Sequence, residues 1–187
     1  MNITFSAYIA TSLDGYIARP NGGLDWLDNS TDKDSKEDYG YHDFMTTVDC
    51  LVMGRSTFEK VASFPEWPYQ GKRVIVISKK MNQAPAHLHD RVEFFNGKVE
   101  QLVVELQSLG VRKVYVDGGF TIQSFINAGL LDEIIITQIP ILIGKGISLF
   151  GDTKKDHKLK LLQSRKFDSG FVQSHYQFLP SSARFFD

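Results

Sequence analysis

Two uninterrupted apolar runs, Val74-Ile75-Val76-Ile77 and Ile134-Ile135-Ile136, constrain the fold of this chain more than any other feature. A strand with no polar face needs cover on both sides, which places both runs in a sheet sandwiched between other layers. Around them, strand-like segments alternate with helical ones. Strands are expected over 3–10, 50–53, 73–78, 92–95, 113–117 and 132–139, and helices over about 35–46, 57–63, 98–108 and 120–128. In the third helix Val99, Leu102, Val103 and Leu106 form the i, i+3, i+4, i+7 stripe of a helix lying on a sheet. This alternation predicts an α/β fold of three layers, α-β-α, around a mostly parallel central sheet. The segments 158–167 and 171–179, joined by Asp168-Ser169-Gly170, predict an antiparallel C-terminal hairpin at one sheet edge. With 187 residues and 42% hydrophobic content, one core and one domain over 1–180 are expected, followed by an aperiodic tail, 181–187, that carries Phe185-Phe186.

Several function classes are set aside by composition. A net charge of −1 lacks the basic footprint of a nucleic-acid binder. The single cysteine, Cys50, lies in an apolar run and reads as a small buried hydrophobe; it cannot form an internal disulfide or a cysteine metal cluster. The five histidines are scattered, and His87-Leu88-His89 reads as a loop, so no metal is expected. The first residues lack a basic leader pattern and no apolar run approaches the ~20 residues of a membrane span, so no membrane association and a cytoplasmic location are expected.

Three strand ends carry chemistry suited to phosphate. Cys50-Leu51-Val52-Met53 runs into Gly54-Arg55-Ser56-Thr57, where a glycine permits close approach, a helix start offers N–H groups and a guanidinium can bind an anion bidentately. Ser78-Lys79-Lys80 follows the strand ending at Ile77. Val114-Tyr115-Val116-Asp117 ends in Gly118-Gly119-Phe120-Thr121, a second glycine turn entering a helix that Thr121 is expected to cap. Each alone is also an ordinary turn, but together they point to a dinucleotide.

The order of these three motifs closely resembles the dihydrofolate reductase superfamily. The segments Ser12-Leu13-Asp14-Gly15-Tyr16-Ile17-Ala18, Ala128-Gly129-Leu130-Leu131-Asp132-Glu133 and Pro140-Ile141-Leu142-Ile143-Gly144-Lys145-Gly146 look most like the branch of the C-terminal reductase domain of the bifunctional riboflavin-biosynthesis deaminase-reductase. The resemblance implies a dihydrofolate-reductase-like fold, a homodimer and NADPH as cofactor. Carried over by residue, Arg55, Ser78 and Lys79 would hold the 2′-phosphate. Gly54 would provide the turn, with Ser56, Thr57, Gly118, Gly119, Phe120 and Thr121 at the pyrophosphate. Ala10, Ile17 and Ala18 would lie along the nicotinamide.

The expected activity is NADPH-dependent reduction of a small heterocycle, most like 5-amino-6-(5-phosphoribosylamino)uracil reductase. The alternatives are dihydrofolate reduction and a non-catalytic NADP-binding protein. Leu24-Asp25-Trp26-Leu27 lacks the prolines that flank this tryptophan in dihydrofolate reductases, and the chain lacks the His-x-Glu and Pro-Cys-x-x-Cys zinc motif of the deaminase half. For proton delivery the candidates are Asp38 or Glu37, placed by the resemblance on a helix beside the pocket, and Asp14. Their alternatives are a solvated helix start and an Asp-Gly turn. Burial beside the nicotinamide would raise the pKa of Asp38. Trp26 and Tyr41, with Phe64 and Trp67, are candidates to wall a planar substrate.

Overall fold

The computed structural model describes residues 2–30 and 37–180. The 181–187 tail with Phe185-Phe186, and the first residues of the helix expected from Ser35, lie outside the described residues.

One eight-stranded sheet organises the chain. Its strands are β1 (Thr4–Ser12), β3 (Cys50–Gly54), β4 (Arg73–Ile77), β5 (Glu93–Phe95), β6 (Lys113–Asp117), β7 (Glu133–Ile139), β9 (Leu159–Lys166) and β10 (Val172–Phe178). They run in the order β5-β4-β3-β6-β1-β7-β10-β9. Every pair from β5 to β7 is parallel, and β10 and β9 add antiparallel to β7 as the expected hairpin. Both continuous apolar runs are interior strands, β4 lying second from one edge.

The period of two decides what each face meets. Cys50, Val52, Ile75, Val114 and Val116 point to one side, where α4 (Val99–Ser108) and α5 (Gly119–Asn127) cover them with Leu102, Leu106, Ile122 and Phe125. Leu51, Met53, Val74, Val76 and Tyr115 point to the other, beneath α2 (Tyr41–Thr47) and α3 (Arg55–Ala62), which contribute Phe44, Phe58 and Val61. The result is the three-layer α/β sandwich. Cys50 is fully buried, and burial pushes its thiol pKa up to about 12, so it is packed and unreactive. Among the described residues no helix is long and apolar enough to cross a membrane.

Four elements were not anticipated. A two-stranded ribbon joins β2 (Tyr16–Ala18) to β8 (Ile147–Ser148), α1 (Asp25–Ser30) follows the first of them, and a 3-10 helix over Ala86–Arg91 stands where His87-Leu88-His89 reads as a loop. The helix expected from residue 35 begins only at Tyr41, because Tyr39 (φ 58) and Gly40 (φ 87) turn through the left-handed region just before it.

Candidate active site

The neighbours β3 and β6 send their connections to opposite faces of the sheet, α3 towards β4 and α5 towards β7. Where successive connections diverge, the carboxyl ends of parallel strands open a crevice. A cavity of about 560 Å3 lies there, reaching from the turns after β3 and β6 to the β2–β8 ribbon.

Glycines bring those two turns together. Gly118 has φ +88, and a Cβ there would run into the Thr57 hydroxyl; one on Gly54 would sit 3.0 Å from Thr121 Oγ1. Each turn therefore fills the space a side chain on the other would need. Neither α3 nor α5 carries a side-chain cap at its first turn, so the N–H groups there remain available to a ligand in the crevice. Both helices begin two residues or one residue earlier than expected, at Arg55 and Gly119. Thr121 thus lies inside α5 with its hydroxyl towards Gly54, and it is not the cap.

Charge in this cavity is sparse. Arg55 stands half-exposed at the lip, its Nη1 3.1 Å from Glu59 one helical turn on, and Lys60 lies along the same helix. The anionic group is Asp117, at the buried end of β6, with Oδ1 accepting from Gly118 N–H at 2.8 Å. Burial raises its pKa from 3.8 to about 6, against the pull of the Gly118 N–H and of the Tyr115 and Tyr69 hydroxyls. Those phenols are themselves raised, chiefly by burial and next by the Asp117 charge. A carboxyl whose pKa is raised to about 6 inside a mostly apolar cavity is suited to general acid chemistry.

Ten of the residues expected at the cofactor line this cavity: Ile17, Ala18, Gly54, Arg55, Ser56, Thr57, Gly118, Gly119, Phe120 and Thr121. Three do not. Ala10 packs with Trp26 and Ile139. Ser78 Oγ accepts from Lys80 N and Met81 N in its own turn, and Lys79 projects into solvent.

The substrate-side residues need correction. Asp38 is exposed on the turn before α2, where its carboxylate accepts from Gly40 N and His42 N at 2.9 Å each; these bonds lower its pKa, opposite to the rise expected from burial. Glu37 accepts from Tyr39 N at 2.9 Å and lies 4.0 Å from Arg165. Asp14 is exposed and clamps the loop after β7 through Ile143 N and Gly144 N. None of the three lines the cavity. Trp26, 1% exposed, is core beside Phe167 and Phe171, and Tyr41 packs edge-on against Tyr8 and Tyr115. Tyr41 is held protonated up to about 12 by burial. Phe64 does reach the cavity, whereas Trp67 packs on Phe58 and Tyr69.

Asp117, Tyr69 and Lys60 were missed. For Asp117 a signal existed: a carboxylate closing a buried Val-Tyr-Val strand, immediately before paired glycines.

Comparison with known proteins agrees with this architecture. The protein is 36% identical over 171 residues to the uncharacterized protein YwjB of Bacillus subtilis (strain 168), covering 90% of this chain and 94% of that one. The crystal structure of a putative riboflavin biosynthesis protein from Shewanella sp. PV-4 superposes with a TM-score of 0.90 at 38% identity, over 95% of this chain and 100% of the other. A diaminohydroxyphosphoribosylaminopyrimidine deaminase/5-amino-6-(5-phosphoribosylamino)uracil reductase from Thermotoga maritima shares the fold, with a TM-score of 0.73 at 15% identity, over 95% of this chain and 57% of that larger one. The family model of the RibD C-terminal domain matches residues 5–173, the sheet up to the start of β10 and every cavity-lining residue named above, and the chain belongs to that family.

Proposed function

We propose that this protein is an NADPH-dependent reductase of a small heterocyclic substrate, most like 5-amino-6-(5-phosphoribosylamino)uracil reductase. The observation that carries the reading is the convergence of two uncapped glycine turns and Arg55 on one largely apolar cavity. The residues present fit a phosphate-rich cofactor. The first-turn N–H groups of α3 and α5, brought together by the contact of Gly118 with Thr57, suit a pyrophosphate, and Arg55 suits the 2′-phosphate. Ser78 and Lys79 stand one strand along, outside the lining, so the phosphate role rests on Arg55. Ile17, Ala18 and Ile147 supply an apolar wall for a planar ring.

When bound, the cofactor supplies a hydride to an electron-poor carbon of the substrate. The protein's part is to fix the two rings, exclude water and provide a proton. Asp117 holds that proton below about pH 6, its pKa raised by burial and its carboxyl oriented by the Gly118 N–H, with Tyr69 beside it. This assignment replaces Asp38, Glu37 and Asp14, which are engaged elsewhere.

The test is loss of NADPH absorbance over a panel of pyrimidine, pterin and carbonyl compounds. A riboflavin-pathway pyrimidine is expected to be reduced faster than dihydrofolate. Arg55→Ala should weaken NADPH by about tenfold or more while leaving NADH nearly unchanged, since a charge-assisted phosphate contact contributes about 1.5–3 kcal/mol. Equal affinity of the parent protein for both cofactors would reject the phosphate assignment. Cofactor binding without turnover on any compound would favour a non-catalytic nucleotide-binding protein.

A further inference from the structure

At the opposite ends of β4 and β5 from the crevice lies a second cavity, of about 570 Å3, within the size range of small-molecule sites. Its lining is polar. Lys72, Arg73 and Arg91 contribute, against Asp90 and Glu93, with His89 on the rim. One of these cations is already answered: Arg73 Nε lies 3.0 Å from Glu93. His89 Nδ1 lies 2.9 Å from Asp90.

The other two, Lys72 and Arg91, form no close ion pair among the described residues, although the Asp49 carboxylate interacts electrostatically with Lys72. Lys72 Nζ donates to the Val48 carbonyl at 2.7 Å, which fixes the ammonium without neutralising it and leaves two of its three protons for another acceptor. Among the described residues no carboxylate pairs with Arg91. Lys72 and Arg91 approach the cavity on adjacent segments, since β4 and β5 are parallel neighbours with Ile75 opposite Glu93. Trp67 and Tyr69, themselves in edge-to-face contact at 5.4 Å, complete the lining with aromatic surface. Two cations outside any close ion pair, one of them a planar fork, beside aromatic rings form a receptor for a phosphate ester with a planar group.

We propose that this second cavity binds a small aromatic phosphate ester, with Lys72 and Arg91 on the phosphate and the Trp67–Tyr69 wall beside the ring. The site is separate from Arg55 and the glycine turns, and Tyr69 is the one residue lining both cavities.

Phenyl phosphate is the ligand for the test, with phenol and inorganic phosphate as controls. The readout is the indole N–H resonance of Trp67 in a nitrogen-15 NMR titration. The chain has two tryptophans, and Trp26, in the core beside Phe171, serves as internal reference. The Trp67 resonance is expected to move saturably with phenyl phosphate, at lower concentration than with either control, while that of Trp26 stays in place. Arg91→Gln should raise the dissociation constant at least tenfold, and Lys72→Met likewise; Arg55→Ala should leave it unchanged. Lys72 also tethers Val48, so Arg91→Gln, which removes no contact described here, keeps the test valid if Lys72→Met does not fold. No movement of Trp67, a dissociation constant unaffected by Arg91→Gln, or binding abolished by Arg55→Ala would each overturn the proposal.

Discussion

Asp117 carries the sharpest expectation at the scale of the residue. Its pKa of about 6 in the folded protein exceeds the ordinary 3.8, so its neutral form predominates below about pH 6 and is lost as pH rises through that value. If it donates the proton, turnover should fall over that window, and Asp117→Asn should reduce turnover by 10²-fold or more while NADPH binding persists. Stability gives an independent check. The raised pKa means that the parent's stability, relative to the non-titrating variant, is fullest below about pH 4 and declines as pH rises to about 6. Thermal unfolding of both proteins across pH 4–8 measures this, and parallel curves would reject the buried, raised carboxyl. The sequence disclosed the phosphate turns more readily than this acid. A glycine after a strand announces its geometry locally, whereas Asp117 owes its raised pKa to burial, which only the folded sheet supplies and which prevails over the hydroxyls of Tyr115 and Tyr69. For the same reason Asp38 was misread: its neighbours in the chain suggested a helix, and the left-handed pair Tyr39-Gly40 made it an exposed turn.

At the scale of elements, strands with strong apolar runs were legible to within two residues, because burial on both faces leaves a local signature. The β2–β8 ribbon was not legible. Its strands have three and two residues, too short to show a period, and they pair across more than a hundred residues of chain. Another long-range tie is the Gln173 side chain on β10. Its Nε2 donates towards Tyr8 Oη at 2.9 Å, the Tyr39 carbonyl at 3.0 Å and Thr137 Oγ1 at 2.9 Å, so one amide joins the hairpin to β1, β7 and the turn before α2. Two hydrogens serve three acceptors, and removing them strands half-buried oxygens. Gln173→Leu is expected to cost about 1–3 kcal/mol in denaturant unfolding and to speed amide exchange at Gly40 and Tyr41 more than at β4. Uniform exchange changes would show that Gln173 is not a local tie.

For the whole molecule, the uncovered end of the sheet is the part most in need of a partner. Every residue of β9 is exposed, and Leu159 and Leu161 stand opposite Phe178 and Tyr176, extending the apolar face past the helices that cover the rest. Lys160, Arg165 and Lys166 discourage edge-to-edge strand pairing. We therefore expect a homodimer that packs through this face, with Leu161→Glu giving a monomer by sedimentation at micromolar concentration. A monomeric parent protein would reject it. The expectation of a dimer rested on family resemblance and on the C-terminal hairpin with Phe185-Phe186; the tail lies outside the described residues, and the exposed face of β9 is the surface proposed for the contact.

The contact between Gly118 and Thr57 has an evolutionary consequence. Because a side chain on Gly118 would collide with the Thr57 hydroxyl, and one on Gly54 would crowd Thr121, the two turns are inherited as a single piece: a change in either must be answered in the other before it can persist. The coupling extends to the opposite rim, where Ile17 and Ile147 pack close to Gly119, so drift towards a new substrate must preserve those contacts along with the two turns.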